Sequence, residues 1–174
     1  PKSPTPKSRM TYADPPLRPA WFSLRFLQRY PHLLEVAYDF THKLLQPFQR
    51  WLKRGGAVEK IFIPLEVASK VAIFDCHMCG QCVLHSTGMT CPQTCPKNLR
   101  NGPCGGVRAN GHCEIIPDLP CVWVQAWERS KHMPAYGREI LRLNPPLSKN
   151  LKGTSAWIND FTGDGLKTPV GWEP

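Results

Sequence analysis

Cysteine is the residue type whose spacing suggests chemistry in this sequence. All eight cysteines of the 174-residue chain lie between positions 76 and 121, and the stretches on either side contain none. They are Cys76, Cys79, Cys82, Cys91, Cys95, Cys104, Cys113 and Cys121. Clustered thiols in a chain without an export signal bind metal more often than they cross-link. The sequence therefore predicts one compact metal-binding region.

The first three cysteines indicate which metal to expect. Cys76, Cys79 and Cys82 are separated by two residues each, which is typical of three corners of a cubane iron–sulfur cluster. Cys91 and Cys95 each precede a proline, as a more distant fourth ligand often does. Zinc sites usually combine two separate pairs, so a third cysteine at the same step suits zinc poorly. We predict two [4Fe–4S] clusters; one cluster plus a zinc, or zinc only, remain alternatives.

The spacing leaves the grouping of the eight ligands partly open. The first three cysteines are expected to share a cluster with one of Cys91, Cys95 or Cys121, and the remaining four to hold the second cluster. Trp123 and Trp127 follow the last cysteine at helical spacing. They could bury the site and influence its reduction potential, although ordinary core packing explains them more simply.

Three histidines and three cations lie among or near the cysteines: His77, His85 and His112, and Lys97, Arg100 and Arg108. Eight cysteines already fill two four-ligand sites, so we interpret the histidines as bystanders or as hydrogen-bond donors to the ligand sulfurs. Nearby cations would stabilise the net negative charge of a cubane with four thiolates. Ordinary solvated charge is an equally good interpretation of the three cations.

The elements that must position the cysteines are predicted to be short. The 19 prolines lack a backbone donor and interrupt regular structure. We predict a small, mainly α and irregular protein, with a loop-rich cysteine domain organised around metal clusters and an N-terminal helical arm. The predicted segments are an extended, basic, proline-rich tail at 1–20, an amphipathic helical arm at 21–56, the cysteine-rich domain at 57–132 and a wrapping tail at 133–174.

The arm carries an apolar stripe at steps of three and four, which predicts a helix. Its members are Leu33, Val36, Ala37, Phe40, Leu44, Phe48, Trp51 and Leu52. Pro31 suits the start of this helix and Pro47 would kink or restart it. Pro64 should divide the next apolar run, so that a short helix from Leu65 delivers Cys76. The stripe is expected to form core or to dock on a partner rather than to lie on a membrane.

Charge is concentrated in the arm. The formal net charge is +9, with 11 Lys/Arg against 4 Asp/Glu in residues 1–65 and 11 against 9 in the rest. A basic arm suits an acidic protein, an anionic membrane or a nucleic acid. Nucleic acid is disfavoured because the charge lies outside the cysteine region. The sequence has no signal-peptide pattern and no apolar run of 18 residues, from which we expect a cytoplasmic protein.

Three segments resemble a known family. The stretches CHMCGQCVLHSTGMTCPQTCPKNLRNGPCGGVRANGHCEI, PCVWVQAWERSK and LSKNLKGTSAWIND resemble the cysteine-rich small subunit that accompanies methylenetetrahydrofolate reductase, a unit also found fused to that enzyme as a terminal domain. The likeness covers roughly residues 58–160 and is most specific between Cys91 and Gly106. It does not extend to residues 1–54.

The resemblance implies an iron–sulfur subunit in a hetero-oligomer with a flavin-bearing (β/α)8 barrel that reduces methylenetetrahydrofolate. The eight cysteines would carry over one for one as cluster ligands, and the subunit would relay electrons to or from the flavin, or hold the assembly together. The flavin is expected on the partner. The sequence has no dinucleotide-binding glycine loop and no P-loop, so we expect a non-catalytic subunit. A structural zinc scaffold for a partner enzyme is the alternative.

Overall fold

The chain folds around four α-helices, and a computed structural model describes residues 24–53, 55–168 and 171. The helices are α1 (Pro31–Leu45), α2 (Ala57–Phe74), α3 (Val122–Ser130) and α4 (Ala156–Phe161). Short 3-10 helices connect them at Arg25–Arg29, Gln46–Phe48, His85–Thr87, Pro92–Thr94, Gly137–Leu141, Lys149–Leu151 and Asp164–Leu166. Within the described ranges there is no strand. The predicted fold class is confirmed, and the tail predicted at 1–20 lies outside the described residues.

Helix α1 is amphipathic, but most of its apolar stripe faces solvent and a carboxylate is buried on its inward side. It begins at Pro31 as predicted, where the missing N–H needs no partner. Its inward side is polar: Glu35 is buried and its Oε1 accepts hydrogen bonds from the backbone N–H groups of Ala135 (3.0 Å) and Tyr136 (2.7 Å). Most of the predicted apolar stripe faces solvent, with Phe40 66% exposed. The interpretation of that stripe as core is therefore wrong, except at Leu52, which is buried.

Helix α2 runs without interruption through Pro64, so the predicted division at this proline is wrong. Pro64 lies on the exposed side of the helix, where the carbonyl group left without a donor can bond to water. The inward side of α2 carries Glu59, Glu66, Lys70 and Phe74. The helix ends immediately before the first cysteine, as the sequence predicted.

The buried apolar side chains form two clusters, and cysteines belong to both. The larger cluster contains Phe74, Leu84, Met89, Cys91 and Met133. The smaller one contains Cys121, Trp123 and Ala126 of the α3 region. Because apolar burial and the cysteines share the same centres, the packing that stabilises this small protein also fixes the positions of its thiols.

The segment of residues 145–165, here called the C-terminal strap, crosses the loop that carries the first cysteines. The backbone N–H of Gly153 donates to the carbonyl of Met78 (2.8 Å), and Asn159 Nδ2 donates to the carbonyl of Gly80 (2.8 Å). Asn159 is fully buried. The strap therefore holds the cysteine loop through specific backbone hydrogen bonds, which are favourable chiefly because the alternative is a buried unpaired polar group.

Candidate metal centre

The eight cysteines line two separate cavities, four in each. The first cysteine group consists of Cys76, Cys79, Cys82 and Cys91. The second cysteine group consists of Cys95, Cys104, Cys113 and Cys121. Of the three candidates for the fourth position beside the first three cysteines, it is Cys91 that lies at the same cavity. Within the described ranges, no three His, Cys, Asp or Glu side chains are arranged to hold a metal ion.

The backbone around the first cavity adopts conformations that most residues avoid. Asp75 and Met78 have φ of 53° and 48°, and Gly80 has φ of 75°. Such left-handed residues are costly unless the surrounding structure imposes them. Gly80 is also closely packed, since a Cβ there would lie 2.0 Å from the carbonyl oxygen of Leu151 in the strap. These turns curl the chain so that Cys76, Cys79 and Cys82 border one space.

Two cations and the amide of Gln93 are among the other side chains that line the first cavity. Lys70 donates from Nζ to Glu66 Oε1 at 2.5 Å, and Arg100 donates from Nε to the carbonyl of Pro145 at 2.6 Å. The Nε2 group of Gln93 is buried at this cavity and has no hydrogen-bond partner among the described residues. A buried donor without an acceptor is unfavourable and calls for a partner. The cavity thus combines four cysteines, two cations, the carboxylate of Glu66 and an unpartnered donor.

Burial favours the protonated thiol at three cysteines of the first group, namely Cys76, Cys79 and Cys91. It raises the pKa of Cys76 to about 11, although the backbone N–H of Met78, 3.4 Å from Sγ, opposes the shift. Burial likewise raises the pKa of Cys79 and of Cys91. The opposite holds for Lys70: burial acts against its charge, but the neighbouring Cys82 and Glu66 outweigh burial and raise its pKa. A cation is therefore retained beside these sulfurs.

The second cavity is built from residues close together in sequence. The backbone N–H of Cys121 donates to the carbonyl of Gly111 (2.9 Å), and Trp123 Nε1 donates to the carbonyl of Leu99 (3.1 Å). Lys97 forms an ion pair with Glu114, and both residues line the cavity. These contacts draw the loop between the cysteines around the cavity without help from the strap.

Cys104 in the second group behaves differently from the buried thiols. The backbone N–H of Gly106 lowers the pKa of Cys104, and the ammonium group of Lys97 adds to this effect. Both groups favour the thiolate, the form that binds metal.

Only some of the cations and tryptophans that the sequence placed near the cysteines line the two cavities. Of the three cations singled out in the sequence, Arg100 lines the first cavity and Lys97 the second, whereas Arg108 lines neither. Trp123 is buried at the second cavity, but Trp127 is 47% exposed and lines neither.

The histidines lie outside the cysteine cavities, whereas three residues not identified from the sequence line the first cavity. None of the described histidines lines either cysteine cavity, and His77 is exposed. Sequence reasoning missed Glu66, Lys70 and Gln93. The first two are four residues apart in the mostly apolar second half of helix α2, and this was the available signal.

The described part of the chain is a small, helical, cysteine-rich module with two four-cysteine cavities. Comparison with protein families narrows this class: the family described as methylene-tetrahydrofolate reductase C terminal matches residues 56–147, more than half of the chain. The chain belongs to this family, and the resemblance seen in the sequence is confirmed. No curated protein and no solved structure matches the chain.

The family match covers the part of the chain that carries the cysteines and leaves out α1. The match starts at the N-cap of α2 and includes all eight cysteines, but it excludes α1 and most of the strap. No helix in the described part of the chain is long and apolar enough to cross a membrane. The cysteines of both cavities thus lie in the family unit, whereas α1 and most of the strap lie outside it.

Proposed function

We propose that this chain is the iron–sulfur subunit of a methylenetetrahydrofolate reductase-type complex, with one [4Fe–4S] cluster at each cysteine group. It relays electrons to or from a flavin-bearing partner. The observation that carries the proposal is the division of eight cysteines into four and four around two separate cavities. Four thiolates are the full ligand set of one cubane. Membership of the family described as methylene-tetrahydrofolate reductase C terminal supports the assignment to a reductase-type complex.

The residues at the first cavity fit such a group. The unpartnered Nε2 of Gln93 is a donor that a sulfur of the cofactor would satisfy. Lys70 and Arg100 supply positive charge where a cubane with four thiolates would be negative. When bound, such clusters accept and release single electrons at potentials set by charge, hydrogen bonds and exposure. The chain's own part is to hold the thiolates, supply these donors and exclude water.

The arrangement of the thiols favours a cluster over zinc. A zinc ion holds four thiolates at about 2.3 Å from one point, so the ligands of a zinc site converge. In the first group, Cys76, Cys79 and Cys82 follow one another at the same two-residue step, which is typical of three corners of a cubane. The four cysteines that line each cavity would supply one thiolate for each iron of a cubane.

Metal and sulfide analysis of the anaerobically purified chain tests the cofactor. We expect about eight irons and about eight acid-labile sulfides per chain, as two cubanes require, and an EPR signal on reduction. Stoichiometric zinc with no iron would refute the iron–sulfur proposal and support the zinc scaffold. One cluster plus zinc would give about four irons.

The grouping of the ligands is tested by two double variants that remove the same number of thiols. Cys76→Ser with Cys91→Ser affects the first group alone, so about four irons should remain. Cys76→Ser with Cys95→Ser affects both groups, so nearly all iron should be lost. Equal iron content in the two variants would contradict the division seen in the structure.

A further inference from the structure

The largest feature that the cysteine chemistry does not explain is an apolar surface on α1 and the turn after it. We call it the outward face; it consists of Leu33, Val36, Phe40, Leu44, Phe48 and Trp51, all at least half exposed. The three aromatic side chains have about 150–250 Å² of surface each, and the three aliphatic side chains add to this. With half or more of each side chain exposed, the outward face exposes on the order of 600 Å², the upper end of the range for the largest apolar patch of a monomer.

The outward face cannot turn inward without breaking the polar contacts of α1. Besides the hydrogen bonds of buried Glu35, the hydroxyl of Tyr136 donates to Asp39 Oδ1 at 2.5 Å. This bond is the first cause of a raised pKa at Tyr136, to about 12, and of a lowered pKa at Asp39. These bonds fix the rotation of the helix about its axis. The apolar side is held outward, as a partner surface requires.

A groove between α1 and α2 leads from the neighbourhood of this face to the first cysteine group. Its α1 wall includes Leu34 and Ala37, and its α2 wall includes Ile73. Its inner end is formed by side chains that also line the first cavity, namely Lys70, Phe74, Cys82 and Leu84. A molecule docked here would therefore contact the same side chains that enclose the cysteines.

Area and charge indicate what kind of molecule fits. About 800 Å² per partner is the size of a standard protein–protein interface, of which the outward face would supply the larger part, and aromatic residues are enriched in such interfaces. Exposed cations lie along α1 and at the turn into α2, namely Lys43, Arg50, Lys53 and Lys60, whereas Glu35 and Glu59 are buried. A partner complementary to this surface would present an apolar patch with carboxylates at its edge.

We propose that the outward face, together with the groove between α1 and α2, is the docking surface for the flavin-bearing partner, and that docking places this partner against Cys82. The inference rests on the proposed function, because the groove ends at the cysteines that would hold the cofactor. A lipid surface could cover the same side chains but would bring no redox group to Cys82. Helix α1 lies outside the family match, so it adds a contact surface to the family unit.

The test uses the cluster-loaded chain and the methylenetetrahydrofolate reductase-type flavoprotein of the same organism. Leu33→Gln with Leu44→Gln alters the outward face, and Leu141→Gln with Leu143→Gln is the matched control at leucines 76% and 80% exposed elsewhere. Glutamine and leucine have similar helix propensity. We expect the first variant to weaken flavoprotein binding by at least tenfold in calorimetry, and the control to change it less than twofold. Both should keep wild-type circular dichroism and iron content.

The outcomes separate this proposal from the proposed function. Equal affinities of the two double variants would overturn the docking surface and leave the function intact. A wild-type chain that binds no flavoprotein would refute the proposed partner and this surface with it. Binding to vesicles of anionic lipid, or self-association in sedimentation, would overturn the protein-docking proposal if the first variant abolished it while flavoprotein binding persisted.

Discussion

Replacing Glu66 by glutamine should strongly destabilise this protein, because Glu66 is the counter-ion of a buried lysine. Both side chains of the Glu66–Lys70 pair are at most 9% exposed. The other carboxylate oxygen of Glu66 accepts from Ser155 Oγ at 2.6 Å, at the start of α4. Glutamine keeps the shape and removes the charge, so Lys70 is left as a buried ammonium without an anionic carboxylate partner.

The expected loss of stability follows from the burial of the Glu66–Lys70 pair. Removing one partner of a buried ion pair costs about 3–5 kcal/mol, which for a chain of this size lowers Tm by roughly 10 °C. Glu128→Gln is the matched control: it breaks the Glu128–Lys131 pair, whose side chains are 59% and 50% exposed, and should cost less than about 1 kcal/mol. Thermal unfolding followed by circular dichroism, under anaerobic conditions and at equal metal content, measures both.

A double variant supplies the decisive comparison. Combining Glu66→Gln with Lys70→Met removes the unpaired ammonium, so stability should recover towards that of the wild type. If Glu66→Gln costs no more than Glu128→Gln, or if the double variant is no more stable than Glu66→Gln, an unpaired buried Lys70 is not the cause of the destabilisation.

Two further predictions concern the cysteine loops. Gly80→Ala should prevent the strap from closing on the first cavity, because the new Cβ would lie 2.0 Å from the Leu151 carbonyl oxygen and because Gly80 has a positive φ. Iron analysis should show the loss of about four of eight irons. Full iron content would contradict this. In cluster-free protein near neutral pH, Cys104 should react with iodoacetamide faster than Cys91, because its lowered pKa gives more thiolate, whereas burial raises the pKa of Cys91. Peptide mapping by mass spectrometry compares the two rates, and faster reaction of Cys91 would refute this.

The sequence predicted the elements that depend on local signals. Pro31 at the start of α1, the end of α2 just before Cys76 and the helix after Cys121 all follow from short-range rules for helix ends and apolar periodicity. Pro64 shows the limit of such rules: a proline on the exposed side of a helix loses a hydrogen bond that water can replace. Both Pro31 and Pro64 signal a helix boundary in the sequence, but only Pro31 lies at one. The surroundings of each proline decide whether the helix is interrupted.

The parts that the sequence could not predict depend on contacts distant in the chain. Periodicity identified the apolar stripe of α1 but could not say which side faces the protein, because the inward side is held by Glu35 and residues about 100 positions away. The position of Cys91 beside the first three cysteines likewise depends on packing. Gln93 gives no signal in the sequence at all, because a missing hydrogen-bond partner is a property of the folded chain.

The strap has a consequence for how the protein is made. The second cysteine group is enclosed by residues 95–123, which emerge together from the ribosome, whereas the first cavity is completed only when residues 145–165 have been synthesised and have reached the loop at 78–81. The first site therefore stands open during translation while the second can already close. If the proposed cofactors are bound, delivery to the first cavity would have to precede closure of the strap, which is synthesised after both cysteine groups.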